Sequence, residues 1–367
     1  MPAIHIGINA LYLIPGGVGG TEIYLESLLR ALAAIDRENR YTVFTNLETN
    51  SGLAPAQSNF QVAPQAVSAR NRPARILWEQ TLLPFNAARL GVQVLFNPGF
   101  TAPVIGMCPN VTVFHDLQHK RHPEHFRWFD LPFWRVLLYA AVHRSRKLIA
   151  VSDATADDLV RFYRISRDVI DVAPHGVDEN FFSIAAERKP QPLLLCVSTL
   201  HPHKNLDRLL RAFALFHAKL PMYRLTIAGL RGFHAEELER LRTDLGLADC
   251  VRFTGWIPRE ELYQLFREAS AFLYPSRFEG FGMPVLEALA AGIPAACSNV
   301  EPMKSIAGDA ALQFDPSDTE AIRDAMEALT GDEVLRSRLM EAGPERAAQF
   351  SWTAAARATL NSLRSVL

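Results

Sequence analysis

Ser276-Arg277-Phe278-Glu279-Gly280-Phe281-Gly282-Met283-Pro284-Val285-Leu286-Glu287-Ala288-Leu289-Ala290-Ala291-Gly292-Ile293-Pro294 reads as a loop and a helix set between two strands. Ahead of it, Ala271-Phe272-Leu273-Tyr274 is a short apolar run closed by Pro275, the pattern of a buried strand. Pro284 suits the first helical position, where its missing N–H costs nothing. Gly292 and Pro294 read as the C-cap and the stop. Glu279 then lies in a loop aimed at a helix start, and Glu287 in that helix's first turn. Gly280 and Gly282 allow a tight bend and a close approach to a ligand. The open N–H groups of a helix start favour an anion, most often phosphate. Two carboxylates beside a phosphate would repel it, so they make sense facing hydroxyls, as on a sugar and a ribose. The competing reading is a capped helix whose early Glu residues only answer its dipole.

Working outward, the chain has 367 residues and the length suggests two domains. A formal net charge of −1 gives no pointer to nucleic acid. Cys108, Cys196, Cys250 and Cys297 have no metal-ligand spacing and read as buried free thiols of a reducing compartment. The opening Ile4-His5-Ile6-Gly7-Ile8 is an apolar strand rather than a signal peptide, and no stretch is long enough to cross a bilayer. A cytoplasmic location is the expectation, with contact at the inner membrane face as an open addition.

Short apolar runs alternate with amphipathic helices along the chain, which argues two doubly wound parallel sheets. The first strand, Ile4 to Asn9, leads into Pro15-Gly16-Gly17-Val18-Gly19-Gly20-Thr21-Glu22 and then a helix from about Thr21 to Ala34. That opening suits a phosphate or sugar cradle but departs from a dinucleotide fingerprint, and a ligand-free tight turn is the alternative. From Glu48 to Arg75 the chain reads mostly as loop, with a short strand at Phe60–Val62 and with Arg70, Arg72 and Arg75 solvated. The strand Val111–Phe114 ends in His115-Asp116, placing His115 where open α/β sheets face their ligands. A purely structural His at the strand end is the alternative, and Asp116 reads as orienting its neighbours.

Lys120 to Lys147 combines Lys120, Arg121, Arg127, Arg135, Arg144, Arg146 and Lys147 with Trp128, Phe129, Phe133 and Trp134. Such a mixture suits an anionic membrane surface bearing a lipid-linked acceptor. An ordinary core helix with snorkelling cations fits equally well. In the second half, Leu193–Val197 reads as a buried strand. The loop Ser198-Thr199-Leu200-His201-Pro202-His203-Lys204-Asn205 follows, and then a helix. Strand, loop, lysine and helix together set one cation where it can neutralise a departing diphosphate, and a solvated lysine is the alternative. Trp256, in the loop after the strand Val251–Phe253, could stack on a base or simply pack.

The spacing of Glu279 and Glu287, with Gly-Phe-Gly after the first, resembles the Glu-x7-Glu motif of retaining glycosyltransferases of family 4. Gly19-Gly20 with Glu22, the strand-end His115, Lys204-Asn205 and the Phe350-Ser-Trp352 entry to a last helix resemble the same family. His175 departs from its usual Pro-Asn-Gly-Val-Asp, and the loop at Ser198 to Lys204 lacks a glycine or arginine that many members carry. The resemblance covers nearly the whole chain. It implies the α/β GT-B fold: an acceptor-side Rossmann-like domain over 1–180, a nucleotide-sugar domain over 190–348 and a returning helix over 349–367, with a linker at 187–192. It implies transfer of a sugar from a nucleotide diphosphate sugar to a hydroxyl acceptor with retention.

In that reading Glu279, His115 and Lys204 act in catalysis. Thr199, Lys204, Glu279, Gly280, Phe281, Gly282, Met283 and Glu287 bind the donor, Glu279 at sugar hydroxyls and Glu287 at the ribose. Gly19 and Gly20 line the acceptor or phosphate loop. No metal is expected. GDP-mannose to a glycan or lipid-linked acceptor is the first choice, after bacterial mannosyltransferases of O-antigen or exopolysaccharide synthesis. UDP-glucose, UDP-galactose and UDP-N-acetylglucosamine remain alternatives, as do a sugar-nucleotide epimerase and a silent binding module.

Overall fold

The computed structural model describes residues 3–17, 19–49, 52–125 and 131–367. It divides into two compact units, Met1–Gly176 with Ser351–Leu367, and Val177–Phe350.

The first unit is built from β1 (His5–Asn9), α1 (Gly20–Ile35), β2 (Arg40–Thr45), β3 (Phe60–Pro64), α2 (Arg72–Arg89), β4 (Val94–Asn97), β5 (Asn110–Phe114), α3 (Gln118–Arg121), α4 (Leu131–Arg144), β6 (Lys147–Ala150), α5 (Asp153–Tyr163) and β7 (Ile170–Val172). Its seven strands run in the order β3-β2-β1-β4-β5-β6-β7, every neighbouring pair parallel. All five residues of β1 are buried, as a central parallel strand with helices on both faces requires. Ile6 pairs with Tyr41 on one side and Val94 on the other. Right-handed crossovers put α1 on one face and α2, α4 and α5 on the other.

The second unit holds α6 (Glu179–Glu187), β8 (Leu193–Val197), α7 (Leu206–Lys219), β9 (Arg224–Ala228), α8 (Ala235–Asp244), β10 (Val251–Phe253), α9 (Arg259–Glu268), β11 (Ala271–Tyr274), α10 (Met283–Ala290), β12 (Ala295–Ser298), α11 (Met303–Ala307), β13 (Leu312–Phe314), α12 (Thr319–Gly331) and α13 (Glu333–Ala347). Its six strands form the parallel order β10-β9-β8-β11-β12-β13. The last helix, α14 (Trp352–Arg364), belongs to the first unit. There it packs on α1, and Ser362 donates to Asp171 at the end of the sheet (2.6 Å).

In each sheet the strand order reverses once, between β1 and β4 and between β8 and β11. The crevice beyond the carboxyl ends of such a strand pair is where open α/β sheets take their ligands. The loops after β1, β4, β8 and β11 are therefore the ones that matter.

Several local expectations change. The chain passes between units at Gly176 and Val177. Residues 188–192 are no free linker, because Lys189 and Gln191 donate to the α9 carbonyls of Arg267 and Glu268. Helix α2 has no counterpart in the sequence reading. It begins where a loop was expected, with Asn71 accepting from Ala74 N as its cap (3.3 Å). Arg75, expected in solvent, is buried, because the helix turns it inward with Glu79 one turn on. Arg72 lies over the Trp134 ring at 4.0 Å. Helix α10 starts at Met283, so Pro284 is its second residue and Glu287 begins its second turn. Cys196 and Cys297 are buried, whereas Cys108 and Cys250 are partly exposed.

Candidate functional site

The second unit gathers most of the expected site at the β8/β11 reversal. Two loops are stitched together there by their backbones. Asn205, wholly buried and with positive φ (+59°), donates through Nδ2 to the carbonyls of Pro275 (3.0 Å) and Pro316 (2.7 Å). The His203 carbonyl accepts from Arg277 N (2.8 Å) and Ser276 Oγ (3.2 Å). This stitching carries Lys204 onto Glu279, with Nζ and Oε1 2.5 Å apart. The Tyr274 hydroxyl, at the end of β11, donates to the same Oε1 at 2.8 Å and accepts from Lys204 Nζ at 3.3 Å. Burial first, and then the Glu279 charge, hold the Tyr274 phenol well above its ordinary range, so it stays a donor. An ammonium has three N–H donors. Two of those on Lys204 are engaged here, which leaves one for a ligand.

Gly282 caps α10 with φ +107°, a left-handed conformation that a side chain would strain. The Gly282 and Met283 amides donate to no acceptor among the described residues. Pro284 brings no donor of its own. The helix start thus offers open N–H groups beside Lys204 and Glu279. Phe281 packs edge-on to Phe350 at 6.0 Å, and Gly280 is buried. Thr199 sits partly exposed in the loop after β8. Its neighbour Ser198 is pressed by Gly229, where a Cβ would meet the Ser198 carbonyl at 2.4 Å.

Glu287 has the opposite surroundings to Glu279. The residue is 7% exposed, and its carboxylate accepts no hydrogen bond among the described residues. Its ion pair with Arg259 is long, 3.8 Å from Oε1 to Nη2. Burial pushes its pKa up to about 7, with Arg259 pulling down and Asp178 pushing up. A buried carboxylate without hydrogen bonds is costly unless a ligand supplies donors.

The first unit holds the other three expected residues. Gly19 caps α1 with φ +63°, and Gly20 is the first helical residue. Glu22 closes this loop by accepting the Gly16 amide on both oxygens (2.9 and 3.0 Å). His115 is buried at the end of β5, and its Nε2 donates to the Pro98 carbonyl at 2.8 Å. Its ring meets Tyr24 (4.7 Å), Phe100 (5.2 Å) and His175 (5.6 Å), and His175 stacks on Trp352 (5.7 Å). Burial lowers the His115 pKa to about 4 and that of His175 well below the usual value. At neutral pH His115 is an uncharged imidazole with Nδ1 as acceptor. Asp116 accepts from Gln118 N (3.0 Å) and shapes the turn.

The sequence reading missed Tyr274, Asn205, Arg259 and a buried network at the β1/β4 reversal. In that network Glu79 Oε2 accepts from Asn9 (3.2 Å) and Thr101 (2.9 Å). Tyr274 could have been found from its position as the last residue of a strand facing the crevice. Arg259 carried no signal, because a first-turn arginine among acids looks solvated. Among the described residues no three His, Cys, Asp or Glu side chains come together as a metal-ligand set. No helix among them is long and apolar enough to cross a membrane.

Residues 177–346 match the family model for glycosyl transferases group 1, and 18–181 match that for glycosyltransferase family 4. The O-antigen chain mannosyltransferase B of Escherichia coli is 30% identical over 69% of this chain and 70% of its own length. This chain belongs to glycosyltransferase family 4. The serotype-specific mannosyltransferase WbdA of Escherichia coli is 28% identical over 70% of this chain, which spans 33% of that longer protein. The D-inositol 3-phosphate glycosyltransferase of Frankia alni is 28% identical over 96% of each chain. Among solved structures, sucrose-phosphate synthase from Thermosynechococcus elongatus superposes with a TM-score of 0.79 over 99% of this chain and 98% of its own, at 19% identity. The family 4 chain has the GT-B fold, and it is a glycosyltransferase.

Proposed function

We propose that this glycosyltransferase moves mannose from GDP-mannose, with retention, to a hydroxyl of a glycan or lipid-linked acceptor. One observation carries the donor site: Lys204, Glu279 and Tyr274 converge beside the open start of α10, at the strand reversal where ligands bind. The free Lys204 N–H and the Gly282 and Met283 amides take the departing diphosphate, and charge developing there is stabilised by fixed donors. Glu279 accepts from the sugar hydroxyls and Glu287 from the ribose. Neutral His115 accepts a sugar hydroxyl through Nδ1. Thr199 and the backbone of Gly280 and Phe281 border the donor, and Gly19 and Gly20 border the phosphate or acceptor side. The leaving phosphate takes the acceptor's proton on the same face. Lys204 with a helix start supplies the positive charge, so the reaction runs without a divalent metal. Two relatives named as mannosyltransferases support the choice of sugar.

A thermal-shift screen of GDP-mannose against UDP-glucose, UDP-galactose and UDP-N-acetylglucosamine tests the donor. A ligand at a hundred times its Kd adds about 2.7 kcal/mol to stability. Stabilisation by a UDP-sugar and not by GDP-mannose would overturn the choice. An α-linked product by NMR and full turnover in chelator check retention and metal independence. Conversion of donor to an epimer without acceptor would favour the epimerase reading.

The acceptor side includes a peripheral contact with an anionic membrane. Of the basic set at 120–147, Arg121 and Lys147 are paired with Asp158 and Asp171, and Lys120 lies over the Tyr163 ring. Arg127, Trp128 and Phe129 lie outside the described residues. Arg135, Arg144 and Arg146 remain exposed on α4 and just after it, where Val136 (68%) and Tyr139 (57%) also face solvent. Exposed apolar and basic side chains on one helix support contact with an anionic bilayer. Sedimentation with anionic vesicles is expected to fall for Arg144→Glu/Arg146→Glu, and unchanged binding would refute the contact.

A further inference from the structure

We propose that Arg259 is a positioning residue for donor binding: it keeps Glu287 an ionised acceptor, and Asp178 and Tyr263 hold its guanidinium in place. This rests on the reading of Glu287 as the ribose carboxylate.

Arg259 opens α9, and Tyr263 stands one turn later on the same face. Arg259 Nε donates to the Tyr263 hydroxyl at 3.0 Å, and Nη2 donates to Asp178 Oδ2 at 3.1 Å. The Tyr263 hydroxyl closes the triangle by donating to the same Oδ2 at 2.9 Å. Asp178 is itself fixed, because it caps α6 by accepting from Asn180 N at 3.1 Å. The guanidinium also lies 5.2 Å from the centroid of the wholly buried Phe181 ring. A fork so braced has one charge and one direction left to offer, and 3.8 Å beyond Nη2 lies Glu287 Oε1.

The charged and titratable groups that act on Glu287 are Arg259 of α9, Asp178 ahead of α6 and Tyr274 of β11. Asp178 repels a second negative charge, and Tyr274 is neutral. Arg259 is the group that favours the ionised form. Without it, a carboxylate that no protein donor reaches takes up a proton. A protonated carboxyl keeps one accepting oxygen and turns the other into a donor, which suits a ribose diol poorly. The distance is itself informative. At 3.8 Å the pair is too long for a hydrogen bond, so both Glu287 oxygens stay available to the ligand.

The test measures donor affinity and KM from about pH 6 to 9 for the intact enzyme and for Arg259→Leu, Arg259→Lys and Glu287→Gln. The intact enzyme is expected to lose affinity as pH falls below about 7, up to about tenfold per pH unit. Arg259→Leu moves that limb upward by a pH unit or more, recovers affinity near the alkaline end and leaves kcat at saturating donor nearly unchanged. Arg259→Lys keeps the limb close to its original place. A uniform loss at every pH, accompanied by a lower Tm, would reduce Arg259 to a structural role and overturn the proposal. So would an Arg259→Leu profile identical to that of the intact enzyme. Glu287→Gln separates the two ideas. If it leaves donor affinity intact, the ribose reading itself fails. If it weakens binding and removes the pH limb while Arg259→Leu changes nothing, only the role of Arg259 fails.

Discussion

Tyr274→Phe is the sharpest single perturbation, because it removes one hydroxyl and almost nothing else. The ring is 2% exposed and lies near-parallel to Phe272 at 6.2 Å, so phenylalanine keeps the packing. What goes is the O–H that donates to Glu279 Oε1 at 2.8 Å and accepts from Lys204 at 3.3 Å. A hydrogen bond to a charged acceptor contributes about 1.5–3 kcal/mol. Lys204 still reaches the same oxygen, so Glu279 keeps its ion pair and loses its second restraint. If that restraint sets the geometry in which Glu279 meets the sugar, the loss enters the transition state. At 1.36 kcal/mol per decade, kcat/KM falls about 10- to 150-fold. The fold loses only a partner within an intact ion pair, about 1 kcal/mol, or about 2–4 °C in Tm for a domain of this size. The assay follows release of the nucleoside diphosphate at varied donor, with Tm recorded on the same preparation. A kcat/KM within about twofold of the parent, with Tm lowered as expected, would refute the reasoning. Tyr274 would then serve the fold and leave Glu279 placed by Lys204 alone.

Gly282→Ala forces a side chain into φ +107° and sets its Cβ 3.1 Å from Met303 Cγ. The strain costs about 1–3 kcal/mol, so both the resting Tm and the donor-induced shift are expected to fall; an undiminished donor shift would argue against the open helix start. His115 and His175 are held neutral in the fold, with His115 lowered to about 4. The unfolded chain therefore takes up more protons below pH 6.5, and stability is complete above 6.5 and lost as pH falls toward about 4. His175→Asn is expected to flatten that acid limb in Tm measurements, and superimposable limbs would count against it. Lys204→Met and Glu279→Gln should be strongly non-additive in kcat/KM, with a coupling of about 0.5–3 kcal/mol; additive losses would mean that the 2.5 Å pair does not act as a unit.

The sheets were legible because parallel strands buried on both faces leave continuous apolar runs, as in Leu193–Val197 and Ala271–Tyr274. Helix α2 was not, and its residues show why. Pro73 and Pro84 mimic loop punctuation, and Leu77, Leu82 and Phe85 face solvent, which blurs the amphipathic pattern. Arg75 and Glu79 occupy inward positions where the period calls for apolar residues. The motif residues Glu279, Glu287 and Lys204 were readable from spacing within short segments. Asn205 acquires meaning only when the loops after β8 and β11 meet, a contact between segments about seventy residues apart. His115 was placed at the right strand end. Its neutrality was invisible, because it comes from Tyr24, Phe100 and His175 closing around it.

The two glutamates of one motif therefore have opposite electrostatic surroundings, and local structure separates them. Glu279 sits in a loop that can bend toward a neighbour, and it is met at once by a cation and a phenol. Its charge is balanced before any ligand arrives. Glu287 projects from a helix whose geometry is fixed, among buried neighbours, with the Arg259 guanidinium 3.8 Å away. It stays short of donors until a ligand brings them. A balanced carboxylate can bind hydroxyls without a large change in solvation, which suits a group that must remain in register while bonds change. An underserved one gains more from each hydroxyl it receives, which suits a group that recognises a fixed part of the donor. The same logic limits Lys204. Its charge is already shared with Glu279, so in the proposed donor site the unbonded Gly282 and Met283 amides share the work of holding a diphosphate.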